Sequence, residues 1–295
     1  MPEKYLETRR EFLWRAQNGD GGWGYFPGKR SWLEPTVYAM LALNSEAGSA
    51  NWRRAWDLAR GWQRPDGAWK PSANVEDPHW ATALMVSLHC VRGEYDSAFE
   101  RGVDWLLDQA GAESSPINRI VSMFRGSVTG HDLKYKGWPW RPDTTAWIEP
   151  TAHALIALKK AAPKVQGSLL TQRVVLGEGM ILHRRCKDGG WNYGSKAALG
   201  IDLPSYPETT ALALLGLQGS RGAELRDALD QAKNLWDKTT SPLAKAWLAI
   251  SLRNYGMRLS APEETGSPRD IAVAALECLA HPSGNFQLLR PAANV

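Results

Sequence analysis

An all-α toroid is the fold the sequence predicts: a closed ring of helical hairpins with inner and outer helices, (α/α)6. Three observations predict it. A turn of one pattern recurs, because Gln17-Asn-Gly-Asp20-Gly21-Gly-Trp23 and Gln63-Arg-Pro-Asp66-Gly67-Ala-Trp69 share Gln-x-x-Asp-Gly-x-Trp, and Arg185-Cys-Lys-Asp188-Gly189-Gly-Trp191 repeats it with Arg for Gln. Each turn is preceded by a charged amphipathic segment and followed by one of almost wholly apolar, small residues. A helix that is apolar on every side needs neighbours all round it, and a closed ring of hairpins supplies them.

The outer helices are expected over 4–16, 50–62, 97–109, 169–184, 221–236 and 268–279, a period of roughly 49 residues. The inner helices are expected to start near 35, 80, 150, 207 and 242, with the first and last outer helices meeting to close the ring. Within each turn Asp and Gly allow the tight reversal. The indoles of Trp23, Trp69 and Trp191 are then expected to pack on the end of the next outer helix, each N–H meeting a loop carbonyl. Residues 111–148 form an insertion in an otherwise single domain spanning 1–295, with a short helix expected over 116–124. Its aromatic run, Trp138-Pro-Trp140, suits a lid.

Composition excludes several functions. A 43% hydrophobic, 22% charged chain of 295 residues is neither disordered nor fibrous. The longest apolar stretches fall well short of the roughly 20 residues of a membrane span, and the charged start has no signal-peptide core, so a cytoplasmic protein is expected. Cys90, Cys186 and Cys278 have no metal or disulfide spacing. A net charge of +4 without a dense basic stripe argues against nucleic acid. Arg9, Arg10, Arg15, Arg53, Arg54, Arg60 and Arg64 read as solvated helix faces. The anomaly is tryptophan, 15 residues against 5 Phe.

Aligning the inner segments by their apolar pattern brings Glu34, His79, Glu149 and Glu208 to one place, just ahead of successive inner helices. Pro35 and Pro150 fit the first helical position, which makes the preceding Glu a cap residue, although Glu is a poor N-cap. Equivalent inner-helix starts converge on one rim of one lumen. Carboxylates crowded there cannot all ionise, so at least one should hold its proton at raised pH. Trp32, Trp80, Trp138, Trp140, Trp147 and Tyr206 lie beside them as candidate substrate-binding residues, and Asp143 leads directly into the Trp147/Glu149 segment. A protonated carboxylic acid among aromatic faces can protonate an alkene and steady the resulting cation. The same residues leave open paired-carboxylate glycoside cleavage and a divalent metal at the Glu/His rim. No cofactor is predicted. His153 reads as a core histidine.

The Gln-x-x-Asp-Gly-x-Trp turns followed by small apolar helices resemble the QW repeats of squalene-hopene cyclases, oxidosqualene cyclases and protein prenyltransferase β-subunits. The resemblance covers the whole chain. It implies a terpene cyclase-like enzyme acting on an isoprenoid or other apolar substrate, or else a non-catalytic isoprenoid-binding protein. The squalene-hopene cyclase motif Asp-x-Asp-Asp-Thr-Ala has its counterpart in Trp147-Ile-Glu149-Pro150-Thr151-Ala152. The resemblance therefore implies Glu149 at the acid position, with Trp147 and Pro150 replacing the flanking carboxylates. Prenyltransferase zinc sites imply an Asp-x-Cys pair, which the sequence lacks. The resembling cyclases have a second helical domain over the cavity. A single-domain member implies an open apolar mouth, covered by a homodimer partner, a capping protein or peripheral contact with a membrane.

Overall fold

The structure is a computed structural model, described over residues 2–115, 133–165, 167–198, 200–220, 223–260, 266 and 268–291. Its helices are α1 (Pro2–Arg15), α2 (Leu33–Ala42), α3 (Ala50–Gly61), α4 (Thr82–Arg92), α5 (Ser97–Asp108), α6 (Ile148–Ala161), α7 (Ser168–His183), α8 (Pro207–Gly216), α9 (Ala223–Lys238), α10 (Pro242–Asn254) and α11 (Ile271–Ala280). A two-stranded antiparallel hairpin, β1 (Ala197–Ala198) and β2 (Ile201–Asp202), is the strand structure among the described residues. The helix expected over 116–124 lies outside them.

The inner layer is a closed ring in the order α2, α4, α6, α8, α10, α11 and back to α2. Outer helices α3, α5, α7 and α9 pack on α2, α4, α6 and α8, and α1 packs on α11. The toroid is therefore as expected, but its closure is not. The segment 268–279, read as a sixth outer helix, forms the inner helix α11. The physical reason is its composition, Ile-Ala-Val-Ala-Ala-Leu-Glu-Cys-Leu-Ala, which buries nearly all of its length. Arg9, read as solvated, is buried at the seam, where its Nε donates to Glu277 Oε2 at 3.1 Å.

The tryptophan turns hold inner and outer layers together. Each backbone N–H donates to an inner-helix threonine: Trp23 to Thr36 at 2.9 Å, Trp69 to Thr82 at 2.8 Å, Trp138 to Thr151 at 2.9 Å and Trp191 to Thr210 at 3.0 Å. Each indole N–H donates backwards to the end of the preceding outer helix, to Leu13, Ala59, Leu106 and Ile181 oxygens at 2.7–3.0 Å. A helix-end carbonyl, rather than the expected loop carbonyl, takes that proton because the last turn of a helix leaves its acceptors unfilled. The rings of Trp69 and Trp138 also press on the next outer helix at Gly102 and Gly177, where an added Cβ would come within 2.6 Å of them. Gln17 and Gln63 complete the turn, each bonding its own loop and the start of the next outer helix.

Backbone bonds also run from hairpin to hairpin around the ring. Leu33, Trp80 and Ile148 N–H groups donate to Pro71, Trp140 and Tyr193 oxygens, each two residues beyond the next tryptophan of the series. The last inner helix closes the circle when Ile271 N–H donates to Tyr25 O at 2.8 Å. Thr36→Val keeps the shape but leaves the buried Trp23 N–H without an acceptor. Chemical denaturation should show a loss of about 1–3 kcal/mol, and an unchanged midpoint would remove the threonine from this account.

Candidate functional site

The tryptophan turns set the start of each inner helix. Trp32, Trp147 and Tyr206 are the N-cap residues of α2, α6 and α8, and their N–H groups donate to Trp23, Trp138 and Trp191 oxygens. Glu34, Glu149 and Glu208 follow two residues later, at the second helical position. The expectation that each Glu caps its helix is thus corrected. The cap is the aromatic residue, and Pro35 and Pro150 sit at the third position, where a missing N–H is still harmless.

Glu149 lies within electrostatic reach of both Glu34 and Glu208. Burial raises the Glu149 pKa to about 8, and Glu34 and Glu208 raise it further by charge repulsion within that value. Burial also raises Glu34; the Tyr25 hydroxyl, donating to Glu34 Oε2 at 2.6 Å, opposes the rise, and Asp270 adds to it. Tyr193 feels both Glu208 and Glu149, and its ring lies 5.3 Å from that of Tyr206. The result is a set of half-buried carboxyls in which Glu149, with its pKa at about 8, favours its proton at neutral pH. Trp147, Tyr193 and Tyr206 stand exposed around it, at 36%, 47% and 44%. Gly194 packs on the Trp147 ring.

Below the rim the lumen is filled. Trp80, His153, Tyr38 and Trp247 are all buried and pack in one cluster of tilted and edge-on rings, with centroids 5.0 Å apart for Trp80 and His153 and 5.8 Å for His153 and Trp247. Trp140 meets Trp80 edge-on at 5.2 Å. Burial lowers the His153 pKa to about 3, so it is neutral, and its Nε2 lies 3.3 Å from the Tyr38 hydroxyl.

Other expected residues lie elsewhere. His79 is not equivalent to the glutamates. Counting back two from the bonded threonine gives Glu34, Glu149 and Glu208, but in the second hairpin it gives Trp80. The His79 ring lies tilted against that of Trp80, with centroids 5.7 Å apart, and burial, then Arg141, lowers its pKa to about 4. Trp138 is a buried layer-joining tryptophan, away from the mouth. Asp143 is an exposed turn residue with φ of 62°. Trp32 lies by Tyr25, with ring centroids 6.1 Å apart. Among the described residues no three His, Cys, Asp or Glu side chains are grouped to hold a metal, which bears on the divalent ion that the sequence left open at the rim. No described helix is long and apolar enough to cross a membrane.

Sequence reasoning missed Asp270 and Tyr25. Asp270 caps α11, accepting from Val273 N–H at 2.9 Å, and its charge reaches Glu34 and Tyr25. The available signal was the apolar run after it, which marks an inner-helix start. Because Glu149 is held protonated, its ionisation opposes folding. Stability should fall as pH rises from about 4.5 to about 8 and level off above. Glu149→Gln should flatten that slope in denaturant titrations at pH 5 and pH 8; an unchanged slope would assign the titration elsewhere.

No family model matches the chain. A stretch of 75 residues, 24% of the chain, is 38% identical to drimenyl diphosphate synthase of Streptantibioticus cattleyicolor, and spans 14% of that protein's length. In fold the chain resembles endoglucanase Cel10, a family 8 glycosyl hydrolase from Klebsiella pneumoniae, with a TM-score of 0.63 at 13% identity, covering 93% of this chain and 97% of that one. It also resembles the type II terpene cyclase MstE from Scytonema, with a TM-score of 0.54 at 18% identity, covering 94% and 78%. That cyclase is also known with a geranylgeranyl dihydroxybenzoate substrate. What these likenesses establish is the fold: the chain is an (α/α)6 toroid of the kind found in type II terpene cyclases and family 8 glycosyl hydrolases.

Proposed function

We propose that the chain is a terpene cyclase-like acid catalyst working at the mouth of the toroid on an isoprenoid substrate. The observation that carries this reading is Glu149, a carboxyl that keeps its proton up to about 8 while ringed by aromatic faces. Its proton would add to one alkene carbon, the π pair forming the new C–H bond and leaving a carbocation. An internal alkene then attacks the cation to close a ring, and loss of a proton to a mouth carboxylate such as Glu208 ends the sequence. Trp147, Tyr193 and Tyr206 would steady the cation through their ring faces. The local sequence match to drimenyl diphosphate synthase and the repeat pattern support an isoprenoid substrate.

A second reading has its own support. A carboxylic acid with raised pKa is also what protonates a glycosidic oxygen, and exposed aromatic rings at an open mouth suit sugar stacking. The endoglucanase likeness covers nearly all of both chains.

Incubation with farnesyl and geranylgeranyl diphosphates and with geranylgeranyl dihydroxybenzoate, beside a β-1,4-glucan oligosaccharide, separates the two. The expected result is an isoprenoid product of unchanged mass, formed about 10²–10⁴-fold more slowly by Glu149→Gln. The rate should fall as pH rises through about 8, where Glu149 gives up its proton. Equal turnover by the Gln variant would clear Glu149 of the acid role, and oligosaccharide cleavage without isoprenoid turnover would replace this reading with the second.

A further inference from the structure

On the far side of the ring from α4 and α6, the outer layer has a gap among the described residues. Inner helix α10 is followed by α11, and the described residues between them, 255–260, 266 and 268–270, form no outer helix. The flanking outer helices are α9 and α1, which pack on α10 and α11. Between them lies a groove of about 460 Å3, within the range of small-molecule sites.

The groove is amphipathic along its length. Ala246, Ala249 and Ala280 make an apolar floor, and Tyr5 of α1 and Trp236 of α9 form the walls. Lys245 and Arg253, on the same helix, stand roughly 12 Å apart along its axis. Among the described residues neither cation has a carboxylate partner. Lys245 Nζ donates to Trp236 O and lies 4.3 Å from the centre of its ring. Arg253 donates to Ala280 O, to Leu259 O at 3.4 Å and to Ser260 O at 3.2 Å, all neutral carbonyls. Glu277 in the wall is already neutralised by Arg9 at 3.1 Å, and Asp237 is exposed at the edge. Thr240 adds a hydroxyl, and the N-terminus of α10, which begins at Pro242, adds a positive dipole end beside Lys245.

We propose that this groove binds an amphiphilic anion, an apolar chain carrying a phosphate or carboxylate head, with the chain along the alanine floor and the head on Lys245 or Arg253. A half-buried cation that meets only carbonyls gains from an anionic acceptor, since charge-assisted bonds are about twice as strong as those to neutral groups. The alanines leave the space that a chain needs. This site is separate from the mouth and does not rest on the chemistry proposed there.

Calorimetric titration of the full chain with dodecyl phosphate below its micelle concentration tests the proposal, with dodecanol and inorganic phosphate as the chain and head alone. Dodecyl phosphate should bind at least tenfold more tightly than either. The double variant Lys245→Gln, Arg253→Gln should lose at least tenfold in affinity for dodecyl phosphate and none for dodecanol. Ala249→Leu fills the floor without touching charge and should weaken both, with circular dichroism confirming the fold of each variant. Flotation of the wild-type chain with phosphatidylglycerol vesicles, lost in the double variant, would support a membrane lipid as the source of the ligand. Dodecyl phosphate binding without flotation would support a free amphiphile. Dodecyl phosphate binding no tighter than dodecanol, or unaffected by both groove variants, would overturn the proposal. So would binding abolished by Glu149→Gln but kept by the groove variants.

Discussion

The fold depends on one repeated arrangement: a tryptophan whose backbone N–H, backbone C=O and indole N–H each bond a different part of the hairpin. The N–H reaches a threonine inside the inner helix, and the indole reaches back to the last turn of the outer helix before it. In three of the four tryptophan turns the carbonyl takes the N–H of the aromatic residue that caps the inner helix. All these groups are buried in a helical protein whose turns offer few other partners, and each unfilled bond would carry a desolvation cost of about 1–3 kcal/mol. The turn is therefore specified by hydrogen-bonding need as much as by indole volume. Its output is a fixed starting point for each inner helix.

From that starting point the mouth follows. Where the cap is Trp32, Trp147 or Tyr206, a half-buried glutamate follows two residues on, and Glu149 lies within electrostatic reach of Glu34 and Glu208. Their mutual repulsion and burial are met in two ways, by a hydroxyl donor from Tyr25 to Glu34 and by retention of the proton on Glu149. The second hairpin breaks the series by placing Trp80 where a glutamate would stand. That indole, with His153, Tyr38 and Trp247, closes the lumen beneath the acids. The aromatic faces left exposed at the mouth are those of Trp147, Tyr193 and Tyr206.

The ring was legible in the sequence because its determinants are local and repeated: an Asp-Gly turn, an indole, a run of small apolar residues. Glu34, Glu149 and Glu208 were legible for the same reason. What was not legible depended on register and on sequence-distant contact. His79 aligns with the glutamates by apolar pattern, but the short tight turns that open α4 shift the count by one residue, and only the threonine bond reveals it. Residues 268–279 look like one more outer segment when repeats are counted, although their composition is that of an inner helix. Misreading that helix hid Asp270 at its cap. Tyr25 lies only two residues beyond Trp23, but its hydroxyl partner is fixed by tertiary packing, which no periodicity records.

Ring closure and the mouth are joined through that same tyrosine. Tyr25 O accepts the Ile271 N–H that ties the last inner helix to the first turn, and the Tyr25 hydroxyl donates to Glu34. Asp270, immediately before Ile271, is carried by this bond to within electrostatic reach of Glu34. A toroid can close through a matching outer layer or through its inner layer alone. In this chain the described outer layer is interrupted between α9 and α1, so closure falls on inner-helix packing, the Arg9–Glu277 pair and the Tyr25 backbone bond. The acidity of the mouth is consequently tied to the integrity of the seam. Displacing α11 would move Asp270 and the Tyr25 carbonyl together, and so change the field at Glu34 and, through it, at Glu149.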